Sequence, residues 1–392
     1  MRTASAPSLS SARCKTTSGW TTAKLCHRLS LRGRADVTAA AAKMASGYQP
    51  VAISDKAKGT FLGVPDMPLL GLGLAALGRP GYINLGHGAD LSGKSVEEMR
   101  ANCAAVLTAA RDMGIRYYDA ARSYGRAEEF LSSWLRGLPP DALGRTVVGS
   151  KWGYYYTADW QVDTGGAPHE VKEHTATNLI KQAGETQSLL GGKLRLYQIH
   201  SATLESGVLD AADVLTELEK LKKERGWMMG LSLSGVQQSA TLRKAMGVRM
   251  SDGAPLFDCV QATWNLLEQS AGEALAEAHA AGMSVIVKEG LANGRLTPRN
   301  SSAAFAAKTA VLLQAADMYG TSVDALSLAA VIAQPFQPLV LSGATTAEQL
   351  ASNARALELV GRLKASDLAA LLEQLRQPAE AYWAERSALA WN

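Results

Sequence analysis

The chain has 392 residues, of which 47% are hydrophobic and 19% charged, so it can bury a large core, and no apolar run is long enough to predict a transmembrane helix. Its net charge of +4 comes from one end: residues 1–44 carry eight Lys or Arg and one acid, which leaves 32 basic and 35 acidic residues elsewhere. A weakly acidic body gives no electrostatic reason to expect a nucleic-acid partner.

Residues 1–44 have the composition of an organellar transit peptide, because they are basic, rich in Ser and Thr, and contain Asp36 as their one acid. The stretch Val37-Thr38-Ala39 resembles a plastid cleavage site. We therefore expect a disordered segment that directs the protein to the chloroplast. The alternatives are a mitochondrial address, or a disordered tail without an address on a cytoplasmic protein.

After this segment, residues 60–392 predict a single domain in which strands and helices alternate. The stretch "KGTFLGVPDMPLLGLGLAALG" predicts a short hairpin and a first buried strand. A helix then begins at the N-cap Ser95, has Glu98 in a capping box, and ends at Gly114. Further strands are predicted at 115–121, 145–153, 194–202, 227–235, 257–265, 283–290 and 338–344, and further helices at 127–137, 170–190, 211–226, 239–247, 272–282 and 346–360, followed by a C-terminal helical tail.

The predicted strands are short, β-branched and apolar on both faces, which is typical of a parallel sheet covered by helices. Eight such units predict one closed (β/α)₈ TIM barrel with an N-terminal hairpin and a C-terminal helical extension. No linker rich in Pro, Ser or Gly divides the run. Chemistry in such barrels gathers where the strands end.

Cysteine and histidine patterns predict neither a disulfide framework nor a metal site. Cys14 and Cys26 lie in the segment expected to be removed, while Cys103 and Cys259 have apolar neighbours and are expected in the core rather than in a redox centre. The six histidines show no HxxxH or HExxH pairing.

Four ionisable residues follow three neighbouring predicted strands. Asp119, Lys151 and His200 close the second, third and fourth strands, and Tyr124 lies in the loop after Asp119. Each one alone has an ordinary explanation as a cap, a solvated charge or a packed side chain. Because the ends of successive barrel strands meet at one mouth, the set together predicts an active site.

The segments that carry these residues resemble the aldo-keto reductase superfamily, over about residues 68 to 359. "DAARSYG" matches the family's Asp-x₄-Tyr-Gly signature, "VVGSKWG" its strand ending in Lys, and "LYQIHSA" its strand ending in His. The resemblance implies an NAD(P)H-dependent interconversion of a carbonyl and its alcohol. It implies Tyr124 as general acid or base, Lys151 and Asp119 as the pair that tunes it, and His200 as a donor that orients the substrate.

The chemistry is consistent with these roles. Carbonyl reduction needs a hydride on carbon and a proton on oxygen, and a hydride must come from a cofactor. A phenol has a pKa of about 10, which a nearby ammonium lowers. We therefore expect Lys151 to lower the pKa of Tyr124, and Asp119 to keep Lys151 charged.

The resemblance also implies a cofactor site, with NADPH expected and NADH as the alternative. The nicotinamide amide would meet Ser232 and Gln261, and "LANGRL" resembles the family's phosphate-binding segment. "GLGLAALG" is read as a barrel strand, because it lacks the third glycine of a dinucleotide fingerprint. The remaining residues that would bind cofactor are Lys288, Leu291, Asn293, Arg295, Gly343, Thr345, Gln349 and Asn353.

Several positions depart from the family pattern. Lys288 stands where relatives carry an aromatic residue that stacks on the nicotinamide, and this lysine is interpreted as a contact to the cofactor pyrophosphate. Gly343 and Gln349 stand where many relatives have Lys and Arg, which weakens the case for a 2′-phosphate.

The substrate is less constrained: a small aldehyde, a ketone, a sugar or a carbonyl from lipid peroxidation would all suit. Tyr154, Tyr155, Tyr156 and Trp160 are interpreted equally as pocket walls or as a cover for the barrel rim. Two other functions remain open. One is a nicotinamide-binding regulatory subunit of low turnover, and the other is a Schiff-base lyase that uses Lys151 or Lys288.

Overall fold

The computed structural model describes residues 47–392. The predicted transit peptide, with Cys14 and Cys26, lies outside the described residues and stays a prediction. Within residues 47–392, eight parallel strands close into one barrel, as expected. Two separate two-stranded sheets bring the strands of the described residues to twelve. These are β1 (Lys58–Phe61), β2 (Val64–Pro68), β3 (Leu70–Gly73), β4 (Tyr117–Asp119), β5 (Val147–Trp152), β6 (Tyr154–Tyr156), β7 (Glu170–Lys172), β8 (Leu194–Ala202), β9 (Met228–Leu233), β10 (Cys259–Thr263), β11 (Ser284–Lys288) and β12 (Leu339–Ser342). The two-stranded sheets are β1–β2 and β6–β7.

Helices follow the barrel strands and cover their outer faces. The helices are α1 (His87–Asp90), α2 (Val96–Asp112), α3 (Ala127–Leu135), α4 (Pro140–Arg145), α5 (Ala176–Leu190), α6 (Ala212–Arg225), α7 (Gln238–Met246), α8 (Gly272–Ala280), α9 (Ala306–Met318), α10 (Val323–Ile332), α11 (Ala347–Ala354), α12 (Ala356–Leu359), α13 (Ala365–Leu375) and α14 (Ala379–Ser387).

The barrel order is β3, β4, β5, β8, β9, β10, β11 and β12, with β12 pairing back onto β3. The antiparallel hairpin of β1 and β2 packs Phe61, Leu62 and Met67 against Tyr117 and Leu339, which begin β4 and β12. Apolar side chains of the hairpin therefore close the amino-terminal end of the barrel. This leaves the opposite end, where the strands terminate, for polar side chains.

Helix α2 begins as its sequence predicts. The Ser95 hydroxyl accepts a hydrogen bond from the Glu98 amide at 3.3 Å, and the Glu98 carboxylate accepts one from the Ser95 amide at 3.0 Å. This capping box contributes about 1 kcal/mol to helix stability. Cys103 lies on the buried face of α2, and Cys259 is buried at the start of β10, so both described cysteines are core residues, as expected.

The predicted helix at 170–190 was wrong at its start. Glu170–Lys172 forms β7, which pairs antiparallel with β6. Helix α5 begins only after Thr175, whose hydroxyl accepts a hydrogen bond from the Asn178 amide at 3.2 Å. A side chain that caps a helix fixes its first turn, so the residues before Thr175 were free to pair as a strand. Residues 154–172, between the predicted strand at 145–153 and α5, therefore form a hairpin at the barrel mouth.

The C-terminal extension consists of α13 and α14, and α14 lies against the end of β11. Arg386 of α14 pairs with Glu289 at 2.9 Å, and the Tyr382 hydroxyl accepts a hydrogen bond from Asn265 at 3.0 Å. In the described part of the chain no helix is long and apolar enough to cross a membrane. Nor does any group of three or more His, Cys, Asp or Glu side chains between residues 47 and 392 come close enough to hold a metal ion.

Candidate active site

The structure brings the four predicted strand-end residues together at the barrel mouth. Lys151 projects from β5 and forms an ion pair with Asp119 at the end of β4. The same ammonium donates to the Ala120 carbonyl at 3.0 Å and to the Tyr124 hydroxyl at 3.2 Å. Lys151 is completely buried. A buried ammonium with a carboxylate and a phenol as partners is fixed in position, so its charge acts on the phenol at short range.

Asp119 is held by neutral donors from the interior of the barrel. One of its oxygens accepts hydrogen bonds from the Tyr117 hydroxyl at 3.1 Å and from the side-chain amides of Gln198 and Gln261 at 3.2 Å each. The other oxygen accepts a hydrogen bond from the Lys151 ammonium. Because both carboxylate oxygens have partners, the ion pair is satisfied although it lies out of contact with water.

The position of Tyr124 depends on a close contact between two loops. The Gly78 carbonyl, in the loop after β3, accepts a hydrogen bond from the Arg126 amide at 2.7 Å. A Cβ added at Gly78 would lie 2.7 Å from the Ala127 nitrogen and closer still to the Tyr124 carbonyl oxygen. Only glycine allows this approach, so Gly78 helps to place the Tyr124 ring.

The pKa of Tyr124 does not follow the expectation from Lys151. Burial, followed by the negative charge of Asp119, raises the pKa of Tyr124 well above its usual value, while the guanidinium of Arg79 acts in the opposite direction. Arg79 lies 5.3 Å from the centre of the Tyr124 ring. The expectation that the pKa of Tyr124 is lowered was therefore wrong for the protein without a bound ligand. The phenol holds its proton at neutral pH.

His200 faces Tyr124 across the mouth. The two rings meet edge to face with centroids 5.5 Å apart, and the His200 Nδ1 lies 3.4 Å from the Ser123 hydroxyl. Burial lowers the pKa of His200 well below its ordinary value, and the positive charges of Lys151 and Arg79 add to this effect. A neutral imidazole carries one N–H, which makes His200 a hydrogen-bond donor without charge.

A cavity of about 310 Å³ begins beside Tyr124 and Asp119 and extends along the ends of the last strands. Most of the predicted cofactor residues line it. Those on the cavity wall are Gln261, Lys288, Leu291, Asn293, Gly343, Thr345, Gln349 and Asn353.

Two predicted cofactor residues do not line this cavity. The hydroxyl of Ser232 is buried and accepts a hydrogen bond from the Ser201 amide at 2.8 Å. Arg295 pairs with Glu385 of α14 at 2.7 Å and lies 4.3 Å from the centre of the Tyr382 ring. Arg295 is therefore turned toward the C-terminal extension, because its counter-ion lies there.

Polar side chains line the cavity along its length, so it can hold a long polar ligand. Gln261 presents an amide side chain near Tyr124, and the loop that contains Gly343 and Thr345 leads into the start of α11. Asn293 has a left-handed backbone with φ of 56°, and its buried Oδ1 has no hydrogen-bond partner in the described structure. A buried acceptor without a partner on a cavity wall is a position that a bound ligand can satisfy.

Lys288 also lies at the Tyr124 end of this cavity. Its ammonium donates to the Thr263 hydroxyl at 2.7 Å and lies 3.8 Å from the carboxylate of Glu289. Burial lowers the pKa of Lys288 to about 8. Glu289 itself has a left-handed backbone with φ of 56°, and its carboxylate forms an ion pair with the Arg386 guanidinium at 2.9 Å. Strained backbone of this kind is concentrated at functional sites.

The aromatic residues between Tyr154 and Trp160 occupy different places around the barrel mouth. Tyr154 lies 4.9 Å from the His200 ring, so it packs beside a predicted catalytic residue at the barrel mouth. Trp160 donates to the Lys94 carbonyl at 2.6 Å and packs on Phe130, so it covers the rim. Tyr155 lies beside the Lys181 ammonium on the outside.

Sequence reasoning missed three charged residues of the mouth. Glu289 directly follows Lys288 at a strand end, and the strand-end rule that selected the other residues would have found it. Arg79 and Arg386 carry no such signal in the sequence, because each is placed at the mouth by an ion pair with a carboxylate that is distant in sequence. Arg79 pairs with Glu170 at 2.5 Å and is almost completely buried.

Comparison with known proteins identifies the family to which this barrel belongs. The model of the aldo/keto reductase family matches residues 70–375. The uncharacterized oxidoreductase YqkF of Bacillus subtilis (strain 168) is 25% identical over 305 residues, which cover 72% of this chain and 90% of that protein.

Two solved structures share the fold. An aldo-keto reductase from Bacillus halodurans, in its holo form, has a TM-score of 0.62 and 17% identity, covering 83% of this chain and 97% of its own. A glycerol dehydrogenase from Gluconobacter oxydans has a TM-score of 0.62 and 18% identity, covering 82% of this chain and 95% of its own. Since the family match spans nearly all of the barrel, from its first strand into the C-terminal extension, the chain belongs to the aldo/keto reductase family.

Proposed function

We propose that the protein reduces a small carbonyl compound to its alcohol with NADPH as hydride source, and that Tyr124 is the general acid. The family supports an oxidoreductase that interconverts carbonyls and alcohols. The observation that carries the finer proposal is the 3.2 Å contact between the Lys151 ammonium and the Tyr124 hydroxyl, within a buried ion pair. In the reverse direction the same tyrosine would accept the proton of an alcohol.

When bound, the nicotinamide would supply the hydride that carbonyl carbon requires. The side chains of the mouth deal with the oxygen, where negative charge develops. Tyr124 donates its proton to that oxygen. Lys151 then stabilises the phenolate that remains, and Asp119 holds the ammonium in place. His200, which is neutral, donates a hydrogen bond that orients the same oxygen.

The choice between NADPH and NADH rests on the far end of the cavity. Gly343 and Gln349 carry no charge, so they cannot pair with a 2′-phosphate as Lys and Arg do. The Gln349 side chain instead accepts a hydrogen bond from the Thr345 amide at 2.8 Å, which fixes the loop before α11. We retain NADPH as the proposed cofactor because the helix start and the Thr345 hydroxyl suit a phosphate.

The substrate class is proposed as a small polar aldehyde, ketone or sugar. After His200 the chain continues with Ser201 and Ala202, both small, while the Tyr154 ring packs against the His200 ring. The Gluconobacter oxydans protein of the same fold is a glycerol dehydrogenase, which adds small polyols to the compounds worth testing.

The test is a panel of aldehydes, ketones, sugars and small polyols assayed with NADPH and with NADH side by side, with Tyr124→Phe as the matched variant. We expect steady cofactor oxidation with at least one carbonyl, faster with NADPH, and a loss of about 10²-fold or more in Tyr124→Phe with nearly unchanged cofactor binding. Normal turnover by that variant would remove Tyr124 as the acid. Cofactor binding without any turnover, including with 4-nitrobenzaldehyde, would instead favour the regulatory role.

A Schiff-base lyase is a second candidate through Lys288 alone. Lys151 is held by Asp119, whereas the pKa of Lys288 is lowered to about 8, so a fraction of this amine is free to attack a carbonyl at neutral pH. Borohydride treatment with an aldehyde should then attach the substrate to Lys288 covalently. Cofactor oxidation without such trapping would reject this candidate.

The chloroplast address stays a prediction, and the relatives described above are bacterial and give it no support.

A further inference from the structure

We propose that Lys288 makes the site bind NADPH more tightly than NADP⁺ by destabilising the oxidised, positively charged nicotinamide ring, so that the reduced cofactor is held in preference and the oxidised cofactor is released readily. This inference rests on the proposed function and adds to it a preference of the site for the reduced form of the cofactor. It concerns the lysine that replaces the aromatic residue expected from the family resemblance.

The position of Lys288 places its charge at the reacting end of the cavity. Lys288 ends β11 and lines the same cavity wall as Tyr124 and Gln261. A carbonyl that takes its proton from Tyr124 must lie beside that hydroxyl, and the ring that gives the hydride must touch the carbonyl carbon. The nicotinamide therefore has to occupy the part of the cavity that Lys288 lines. The Lys288 side chain is only 18% exposed, so water screens its charge weakly there.

The charges around this end of the cavity leave one positive charge in excess. His200 is neutral. The other nearby cations, among the described residues, each contact a carboxylate at ion-pair distance. These pairs are Lys151–Asp119, Arg79–Glu170 and Arg386–Glu289.

Lys288 has no carboxylate partner of its own, because it shares Glu289 with Arg386. Its ammonium is 3.8 Å from Glu289, which Arg386 approaches to 2.9 Å. Its short hydrogen bond is to the neutral hydroxyl of Thr263. The excess charge of the group therefore lies at Lys288, on the cavity wall.

Oxidised nicotinamide carries a positive ring, and reduced nicotinamide carries a neutral one. A cation near the ring raises the free energy of the oxidised form and leaves the reduced form almost unaffected. We expect the dissociation constant of NADP⁺ to be raised by roughly tenfold relative to that of NADPH. A tenfold change in this ratio corresponds to about 30 mV for a two-electron couple.

The same charge predicts a pH dependence of binding. The pKa of Lys288 is lowered to about 8 by burial, and the charged groups that face it are Glu289 beside it, Arg386 on α14 and Lys151 on β5. As pH rises through this value, Lys288 becomes neutral and the penalty on the oxidised ring disappears. The affinity for NADP⁺ should therefore increase above about pH 8, while the affinity for NADPH changes little.

The experiment measures dissociation constants of NADPH and NADP⁺ by fluorescence titration of the full chain, so it does not depend on turnover. Lys288→Met should bind NADP⁺ about tenfold more tightly and NADPH within about twofold of the wild type. Lys288→Arg should keep the wild-type ratio, because it keeps the charge. Lys220→Met, on the exposed side of α6, is the matched control and should change neither constant.

An unchanged ratio in Lys288→Met, with a flat pH profile in the wild type, would overturn the inference even if the enzyme reduces carbonyls. Equal weakening of both ligands would also overturn it and would assign Lys288 to the cofactor pyrophosphate. Absence of binding by the wild type would instead count against the proposed function. The pH profile of the wild type tests the inference if Lys288→Met fails to fold.

Discussion

Tyr124 is surrounded by groups that act on its hydroxyl in opposite directions. Burial and the carboxylate of Asp119 favour the neutral phenol, and Arg79 favours the phenolate. A phenol that stays neutral in the resting protein keeps its proton available for the substrate oxygen. Lys151 contributes when the proton leaves, because its ammonium lies 3.2 Å from the oxygen that becomes negative.

Removal of the ammonium should affect both catalysis and stability. In Lys151→Met the phenolate loses its nearest cation, so kcat/KM should fall by about 10²- to 10⁴-fold. The variant also leaves the Asp119 carboxylate buried without a counter-ion, which should cost about 3–5 kcal/mol of unfolding free energy. Steady-state kinetics and denaturant unfolding measure the two effects separately.

The double variant Asp119→Asn with Lys151→Met separates chemistry from folding. It removes both charges, so its unfolding free energy should recover toward that of the wild type, whereas its activity should stay as low as in the single variant. Recovery of activity together with stability would mean that the ammonium acts only on the fold and would contradict its role beside Tyr124.

At the scale of elements, the loop after β3 controls where the Tyr124 loop lies. Gly78→Ala would add a methyl group 2.7 Å from the Ala127 nitrogen, so the two loops would have to separate. We expect a loss of about 1–3 kcal/mol of unfolding free energy and a fall of roughly tenfold to a hundredfold in kcat/KM as Tyr124 moves. Thermal unfolding and kinetics on the same preparation check both values.

Gly184→Ala is the matched control, because Gly184 is an exposed helical residue of α5 with open space where the new methyl group would lie. It should stabilise the protein by about 0.5–1 kcal/mol and leave kinetics unchanged. If the two substitutions had equal effects, the close approach of the loops at Gly78 would not be what positions Tyr124.

Elements whose signals are local were predictable from the sequence, and elements that depend on distant partners were not. The helix at Ser95 and the strands ending in Asp119 and Lys151 were placed correctly, because capping and alternation involve neighbours in sequence. The hairpin of β6 and β7 was missed, since Tyr155 pairs with Val171 across an intervening loop. The raised pKa of Tyr124 was also missed, because burial is a property of the whole mouth.

At the scale of the molecule, distant parts of the chain converge on the mouth of the barrel. Glu170 of the hairpin holds Arg79, and Arg386 of the C-terminal extension holds Glu289. Neither contact is readable from the sequence, because the partners are 91 and 97 residues apart. The extension and the hairpin therefore determine the charge of the mouth, while the strand ends supply the reacting groups.

Two buried histidines make the free energy of unfolding of the barrel depend on pH. Burial lowers the pKa of His87, beside Thr345, and of His174, behind His200, to about 4 in each case. In the unfolded chain a histidine has a pKa of about 6.5. Between these two values the unfolded chain binds protons that the folded protein does not, so the free energy of unfolding falls as pH is lowered from about 6.5 toward 4.

Each of these histidines should account for a loss on the order of 2 kcal/mol by about pH 5, and for none above about pH 7. Denaturant unfolding at about pH 7.5 and about pH 5 measures the loss in the wild type, in His87→Gln and in His174→Gln. A glutamine does not titrate, so each variant should lose less stability over this interval than the wild type, whatever its stability at neutral pH. Equal losses in all three proteins would mean that these imidazoles are protonated in the folded state, and that their burial does not limit the acid stability of the barrel.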